Sequence, residues 1–234
     1  MIKARDFKIF SIQASIFTPT LQFSQSKVLA QLVTKFSNTF DGDPVSIPLP
    51  PDAPQEIPRL TLRDANGKLK FEIAPNRANF FRYQKEDDAA ITEDDVFNLC
   101  LPVFDDYIKI VSARVGRLAI VSVKILQHET PGAMLAQHFC KDKWLTNIPE
   151  PDNFEVHFHR RFDLEIFKVN NWLRCKSGIL TKENKRVVIV EQDINTLSED
   201  LDGKEFSMNQ INNFLKNASG EQKHQLNVYF PINE

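Results

Sequence analysis

The sequence predicts an α+β fold: a mostly antiparallel sheet with two long helices packed on one face. Three observations lead there. Apolar residues recur at every second position in several short runs, and at every third or fourth position in two long ones. The short runs also follow one another through polar turns instead of alternating with helices, which argues against a parallel sheet. The order strand, helix, three strands, long helix occurs twice. That order predicts pseudo-equivalent halves at about residues 1–114 and 115–234 within a single domain, 1–234, without any residue-level repeat.

In the first half, residues 7–17 alternate Phe10, Ile12, Ala14 and Ile16 with Ser11, Gln13 and Ser15, the period of a half-buried strand. Ser24 or Ser26 caps the helix that follows, whose Val28, Leu29, Leu32, Val33, Phe36 and Phe40 share one face. Residues 44–58 are proline-rich. They read either as a polyproline ligand or, as their place between helix and hairpin favours, as a stiff surface connector. Residues 60–63 and 68–73 are strands joined by Asp64-Ala65-Asn66-Gly67, where Asn-Gly supplies the positive backbone angles of a tight hairpin. Residues 78–83 form a third strand. Thr92 and Asp95 make a capping box ahead of a helix with the stripe Val96, Leu99, Cys100, Val103, Phe104, Tyr107, Ile108 and Val111. Pro102 lies inside that helix and should kink it or break it in two.

In the second half, residues 118–127 are a β-branched run after Gly116, dense enough in apolar residues to suggest cover on more than one side. Thr130-Pro131 opens a short helix through Leu135, His138 and Phe139. Strands follow at 154–162, 172–180 and 186–195, with 182–185 as a polar connection. Ser207 and Gln210 form a second capping box, and the closing helix buries Ile211, Phe214 and Leu215, with Gly220 as an expected interruption. A weak boundary at 146–153, marked by Pro149 and Pro151, would cut this half after its first helix and so does not divide the chain. Each half would curl a sheet around its long helix, as in helix-grip folds or the pseudo-twofold saddle of the TATA-binding protein. This is an analogy of fold and carries no function.

With 29 basic and 31 acidic residues spread along 234, the formal charge is −2 and no basic stripe is present. Nucleic acid is therefore an unlikely partner; His157 to Arg161, the longest basic concentration, reads as a solvated strand face. No apolar run is long enough to span a bilayer, and the first residues lack a leucine-rich leader, so a cytoplasmic location is expected. The three cysteines, Cys100, Cys140 and Cys175, are widely spaced, which argues against a disulfide framework and fits a reducing compartment.

The segment Ile57-Pro58-Arg59-Leu60-Thr61-Leu62-Arg63-Asp64-Ala65-Asn66-Gly67, with Phe71-Glu72-Ile73-Ala74-Pro75-Asn76-Arg77-Ala78-Asn79-Phe80 after it, resembles a sporadically distributed, functionally uncharacterised family of bacterial proteins. Its hairpin and Pro-x-Arg turn carry the likeness, as does Val188-Ile189-Val190-Glu191-Gln192-Asp193-Ile194-Asn195 with the closing helix. The chain departs from the family at 117–123, where an arginine-tyrosine pair is common, and so resembles a divergent member. The resemblance implies a bacterial or phage-borne origin and supplies no catalytic residue. Some such families sit among defence or mobile-element genes.

Four constellations could carry chemistry. Glu155, His157 and His159 share one strand face; they could bind zinc, but read first as an exposed face of mixed polarity. Glu191, Asp193 and Asn195 share another, near Glu199, Asp200 and Asp202, and read as a solvated strand end before a magnesium or acid-base site. The third is the proline-rich stretch. The fourth is Arg77, expected to fasten its turn rather than bind an anion. No catalytic, cofactor-binding or metal residue is assigned and no cofactor is expected. The weak binding candidates are Glu155, His157, His159, Trp172, Glu191 and Asp193. The leading function is a soluble bacterial protein-interaction module, a regulator or subunit of a defence or mobile-element complex. The alternatives are a small-ligand binder with a cavity between sheet and helix, and a metal-dependent enzyme using the strand-face His or Asp residues.

Overall fold

A computed structural model describes residues 2–50, 52–85, 89–141, 149–181 and 183–231. Its nine strands are β1 (Lys8–Phe17), β2 (Val45–Ser46), β3 (Leu60–Arg63), β4 (Leu69–Ala74), β5 (Arg77–Tyr83), β6 (Arg117–Gln127), β7 (Glu155–Leu164), β8 (Phe167–Leu180) and β9 (Lys185–Thr196). The helices are α1 (Gln25–Phe36), α2 (Glu93–Val111), α3 (Pro131–Phe139), the single turn α4 (Asp200–Gly203) and α5 (Met208–Tyr229). All nine strands form one sheet in the order β2-β3-β4-β5-β1-β6-β9-β8-β7. Every pairing in it is antiparallel.

That order is the repeated pattern laid out in space. Each half places its first strand innermost, so β1 and β6 pair at the centre, and each then adds its remaining strands outward in reverse order. Register fixes the parity. Ile12, Ala14 and Ile16 of β1 lie opposite Ser122, Ile120 and Leu118 of β6, and Ile120 lies opposite Ile194 of β9. Side chains alternate between faces along a strand, so all of these point one way. Toward that side lie α1, α2, α3 and α5, and the sheet residues in contact with them are almost wholly buried.

Two aromatic anchors hold the long helices down. From α2, Phe104 and Tyr107 meet Phe71 of β4 with ring centroids 6.1 and 5.9 Å apart. From α5, Phe214 meets Phe167 of β8 at 5.4 Å. A second, smaller core joins Leu135 of α3 to Leu173, Cys175, Val188 and Val190 of the sheet, and it is closed by Phe230 against Phe7. Both Cys100 and Cys175 are core residues, as their apolar settings imply, and burial pushes the Cys175 thiol up to about 12.

Several elements differ from expectation for identifiable reasons. α2 runs through Pro102 without a break. Proline removes one amide from the helix ladder, and the carbonyl it leaves without that partner belongs to Asn98, an exposed residue. α5 likewise continues through Gly220, which is exposed on the helix and where a Cβ would meet nothing within 4 Å. The β3–β4 hairpin has one left-handed residue, Gly67 at φ +64°, and Asn66 is not left-handed. The Asp64 carboxylate completes that turn, accepting from the amides of Lys68 and Leu69 at 2.7 Å each. Phe10 sits at a register shift between Ile9 and Ser11 and is exposed; Ile9 takes the core position instead.

β8 begins at Phe167, well before the expected start, because the β7–β8 turn uses Glu165 at φ +52° in a segment without glycine or asparagine. The proline-rich connector contributes the short edge strand β2. β6 is covered by helices on one side only: Val121, Val123 and Ile125 lie half-buried on the other. Gly116 permits a close approach, since a Cβ there would fall 2.0 Å from the Leu201 carbonyl oxygen. Part of the weak boundary at 146–153 and Lys182 of the last connection lie outside the described residues.

Replacing Gly67 with Val should destabilise the protein by about 1–2 kcal/mol, since a β-branched residue is strained in the left-handed region. Thermal unfolding measures it. Phe104→Ala and Phe214→Ala should each cost roughly 3–5 kcal/mol in chemical denaturation, because each empties a fully buried site.

Candidate interaction face

Among the described residues no helix covers the second face of the sheet, and the register arranges its side chains in rows that run across several strands to the β7 edge. One row reads Arg63, Lys70, Phe81, Gln13, Val121, Asp193, Trp172 and His159. The next reads Tyr83, Ser11, Val123, Glu191, Arg174 and His157. Glu155 follows in a third, opposite Lys176, which in turn lies opposite Ile189. All six residues singled out from the sequence therefore lie on one face. Three of them, His159, Trp172 and Asp193, are direct cross-strand neighbours.

The contacts between them are specific. His159 stacks on Trp172 with centroids 4.0 Å apart and planes 20° from parallel. The Arg174 guanidinium lies 5.5 Å from the Trp172 ring and is paired with Glu191. The Glu155 carboxylate is 2.7 Å from Nε2 of His157, and that hydrogen bond holds it below the ordinary carboxylate range. Burial pushes Asp193 up instead, against the opposing pull of the Asn195 amide at 2.9 Å and of the Arg174 and Arg117 charges.

The sequence reading singled out neither Arg117 nor the contacts that bind this face together. Arg117 donates to the Asn195 side-chain oxygen at 2.9 Å and to the Thr196 carbonyl at 3.1 Å, and its guanidinium lies 4.7 Å from the Phe17 ring. In the other half, the Ser15 hydroxyl donates to Asn79 at 2.8 Å. Lys70 pairs with Glu72 at 2.9 Å while lying 4.3 Å from the Phe81 ring, which itself stacks on Tyr83. The available signal was parity. Each of these polar side chains falls on the off-core beat of its strand, and Arg117 and Lys70 lie opposite the aromatic residues Phe17 and Phe81 of the next one.

Arg77 donates to the Glu56 carbonyl at 3.2 Å, so it ties the proline-rich connector to the start of β5 and does not fasten its own turn. Glu199 and Asp202 are exposed and lie beyond β9. Among the described residues, no group of three or more His, Cys, Asp or Glu side chains is placed to hold a metal ion. The space between the sheet and the long helices is filled by the aromatic anchors. An open depression of about 880 Å³ lies instead beside α3, lined by Ile2, Asp6, His128, Met134, His138 and Pro231 among others.

A second polar cluster occupies the covered face, where β6 and β9 meet α5. Lys124 is buried, and its ammonium donates to the Ser122 hydroxyl and the Gln192 side-chain oxygen at 3.3 Å each. Gln192 in turn donates to the Gln222 carbonyl at 2.7 Å, and Gln222 donates back to the Gln192 carbonyl at 2.9 Å. Burial brings the Lys124 ammonium down to about 8, with Glu93 opposing and Lys223 reinforcing the shift. The lysine was legible as the odd member of the run Val121-Ser122-Val123-Lys124-Ile125.

No protein-family model matches the chain, and no curated protein matches it. Among the described residues, no helix is long and apolar enough to cross a membrane.

The depressed Lys124 value has a consequence with a definite sign. Below pH 8 the lysine is charged in both states, and its burial penalty is fully present. Between about 8 and its ordinary value near 10.4 the unfolded chain binds the extra proton, so this group's contribution to stability rises with pH. The stability advantage of Lys124→Met over the parent should therefore shrink by about 3 kcal/mol from pH 7 to pH 10.5. Parallel denaturant titrations of the two proteins measure that difference.

Proposed function

We propose that the chain is a protein-interaction module, a subunit or regulator of a bacterial defence or mobile-element complex, and that its partner binds the open face of the sheet. One observation carries this reading: the nine-stranded sheet keeps its helices on one side and presents, on the other, Trp172, Tyr83 and Arg174 amid half-buried Val121, Val123, Ile125 and Ile189. Tryptophan, tyrosine and arginine dominate the energetic centres of protein interfaces, where surrounding aliphatic contacts exclude water. The bacterial setting rests on the resemblance of residues 57–80 to a sporadic bacterial family.

Charge placement favours a protein over a nucleic acid. Binding to phosphates draws on cations free to displace counterions. The central cations here are engaged within the chain: Arg117 by Asn195 and Thr196, Arg174 by Glu191, Lys70 by Glu72. A surface with its charges matched in advance suits a partner that brings polar and apolar groups together.

Capture from native-host extract on the immobilised chain tests this. Changing His157 and Trp172 together to Ala should reduce the bound partner by about tenfold or more, as expected for a hot-spot residue. Val228→Ala, on the solvent side of α5, should leave capture unchanged. Undiminished capture by the double variant overturns the proposal, and so does nanomolar DNA binding that persists as salt is raised.

A further inference from the structure

The two edges of the sheet differ. At one, β2 has two residues, Val45 and Ser46, and prolines 44, 48 and 50 flank it. Proline cannot donate to a ladder, and a short edge strand gives an incoming chain little to pair with. At the other, β7 runs for ten residues without proline or glycine.

The backbone direction of β7 follows from one bond. The Ser177 amide donates to the Phe154 carbonyl at 3.0 Å, so Phe154 turns its backbone groups toward β8. Successive residues of an antiparallel strand turn theirs to alternate sides. Val156, Phe158, Arg160 and Phe162 therefore also face β8. Glu155, His157, His159, Arg161 and Asp163 direct both N–H and C=O to the edge. Among the described residues, no backbone hydrogen bond from a turn, loop or cap reaches these five.

We propose that β7 pairs antiparallel with β7 of a second copy of this chain, centred on Phe158, joining the two sheets into one. Residues directly opposite in an antiparallel pair share a face. In this register, Glu155 lies opposite Arg161 of the second copy, and Arg161 opposite its Glu155. His157 lies opposite His159. On the covered face Phe158 meets Phe158, and Phe154 meets Phe162. The inward charge of the strand, Arg160, is already neutralised by Glu221 of α5 and faces Val156 of the second copy.

Neighbouring registers are worse. Centring on His159 sets Glu155 against Asp163, centring on Arg160 sets that arginine against itself, and centring on His157 shortens the overlap and loses both Glu155–Arg161 pairs. Charge complementarity selects both the occupant and the alignment. The pairing involves the edge of the sheet, and it does not depend on what the open face binds.

Sedimentation velocity on the full chain across a concentration series is the test. The parent should dimerise. Glu155→Arg and Arg161→Glu should each weaken the dimer by roughly tenfold, because each sets two like-charged pairs across the dyad. The double variant should restore it, and so should an equimolar mixture of the two single variants, in which each Arg again faces a Glu. A parent that remains monomeric at about 100 µM, where a dimer of micromolar Kd would be almost fully formed, overturns the proposal. Single variants that dimerise as well as the parent overturn it too, as does a mixture that fails to recover.

Discussion

The structure depends on the antiparallel pairing of β1 with β6. Those two strands open the two halves of the chain, and their register sets the parity of every strand added outward on either side. A shift of one residue at this seam would turn Ile12, Ala14 and Ile16 to the face opposite Leu118 and Ile120, so that the two halves could no longer bury their apolar residues on the same side. All of these are buried in the present register. Because both halves lay their helices on the same side, the seam also decides that the sheet has one covered face and one open face. The candidate face is a consequence of that choice, made at the centre of the sheet and read out at its far strands.

Much of this was legible because it rests on local chemistry. The capping boxes at Thr92–Asp95 and Ser207–Gln210 are both present, with each side chain returning a bond to the other's backbone. The period-two runs also gave correct faces: Glu155, His157 and His159 share the open side with Glu191 and Asp193. Where reading failed, context outweighed propensity. Pro102 and Gly220 are tolerated because each lies on a solvent-facing turn of a helix anchored elsewhere by aromatic rings. Glu165 adopts a left-handed backbone that its sequence does not advertise, since β7 pairs with β8 along its whole length, right up to Leu164 and Phe167, and imposes the turn.

The site was legible in its members and not in its assembly. His159, Trp172 and Asp193 come from three strands, and only the register of β7 with β8 and of β8 with β9 makes them neighbours. Sequence distance conceals such rows. It also conceals why the polar members stay ordered: Arg117 reaches Asn195 from 78 positions away, across the pairing of β6 with β9.

The buried lysine shows the same seam from the covered side. A charged ammonium at Lys124 costs stability relative to a packed apolar side chain, and its hydrogen bonds offset only part of that cost. Yet its partners are spread over the elements that must agree on alignment. Ser122 lies on the same strand, Gln192 on β9, and Gln192 is bonded to Gln222 of α5. Gln222 also donates to the Ile120 carbonyl at 3.3 Å, tying α5 back to β6. Sliding α5 by one turn along the sheet would leave the amides of Gln192 and Gln222 without these partners in a buried setting, at a cost of about 1–3 kcal/mol for each group. Apolar contacts alone tolerate such slips more readily, because they carry no direction. The network thus exchanges some stability for a single alignment of α5, and with it for the fixed positions of β6 and β9, whose opposite surfaces form the middle of the open face.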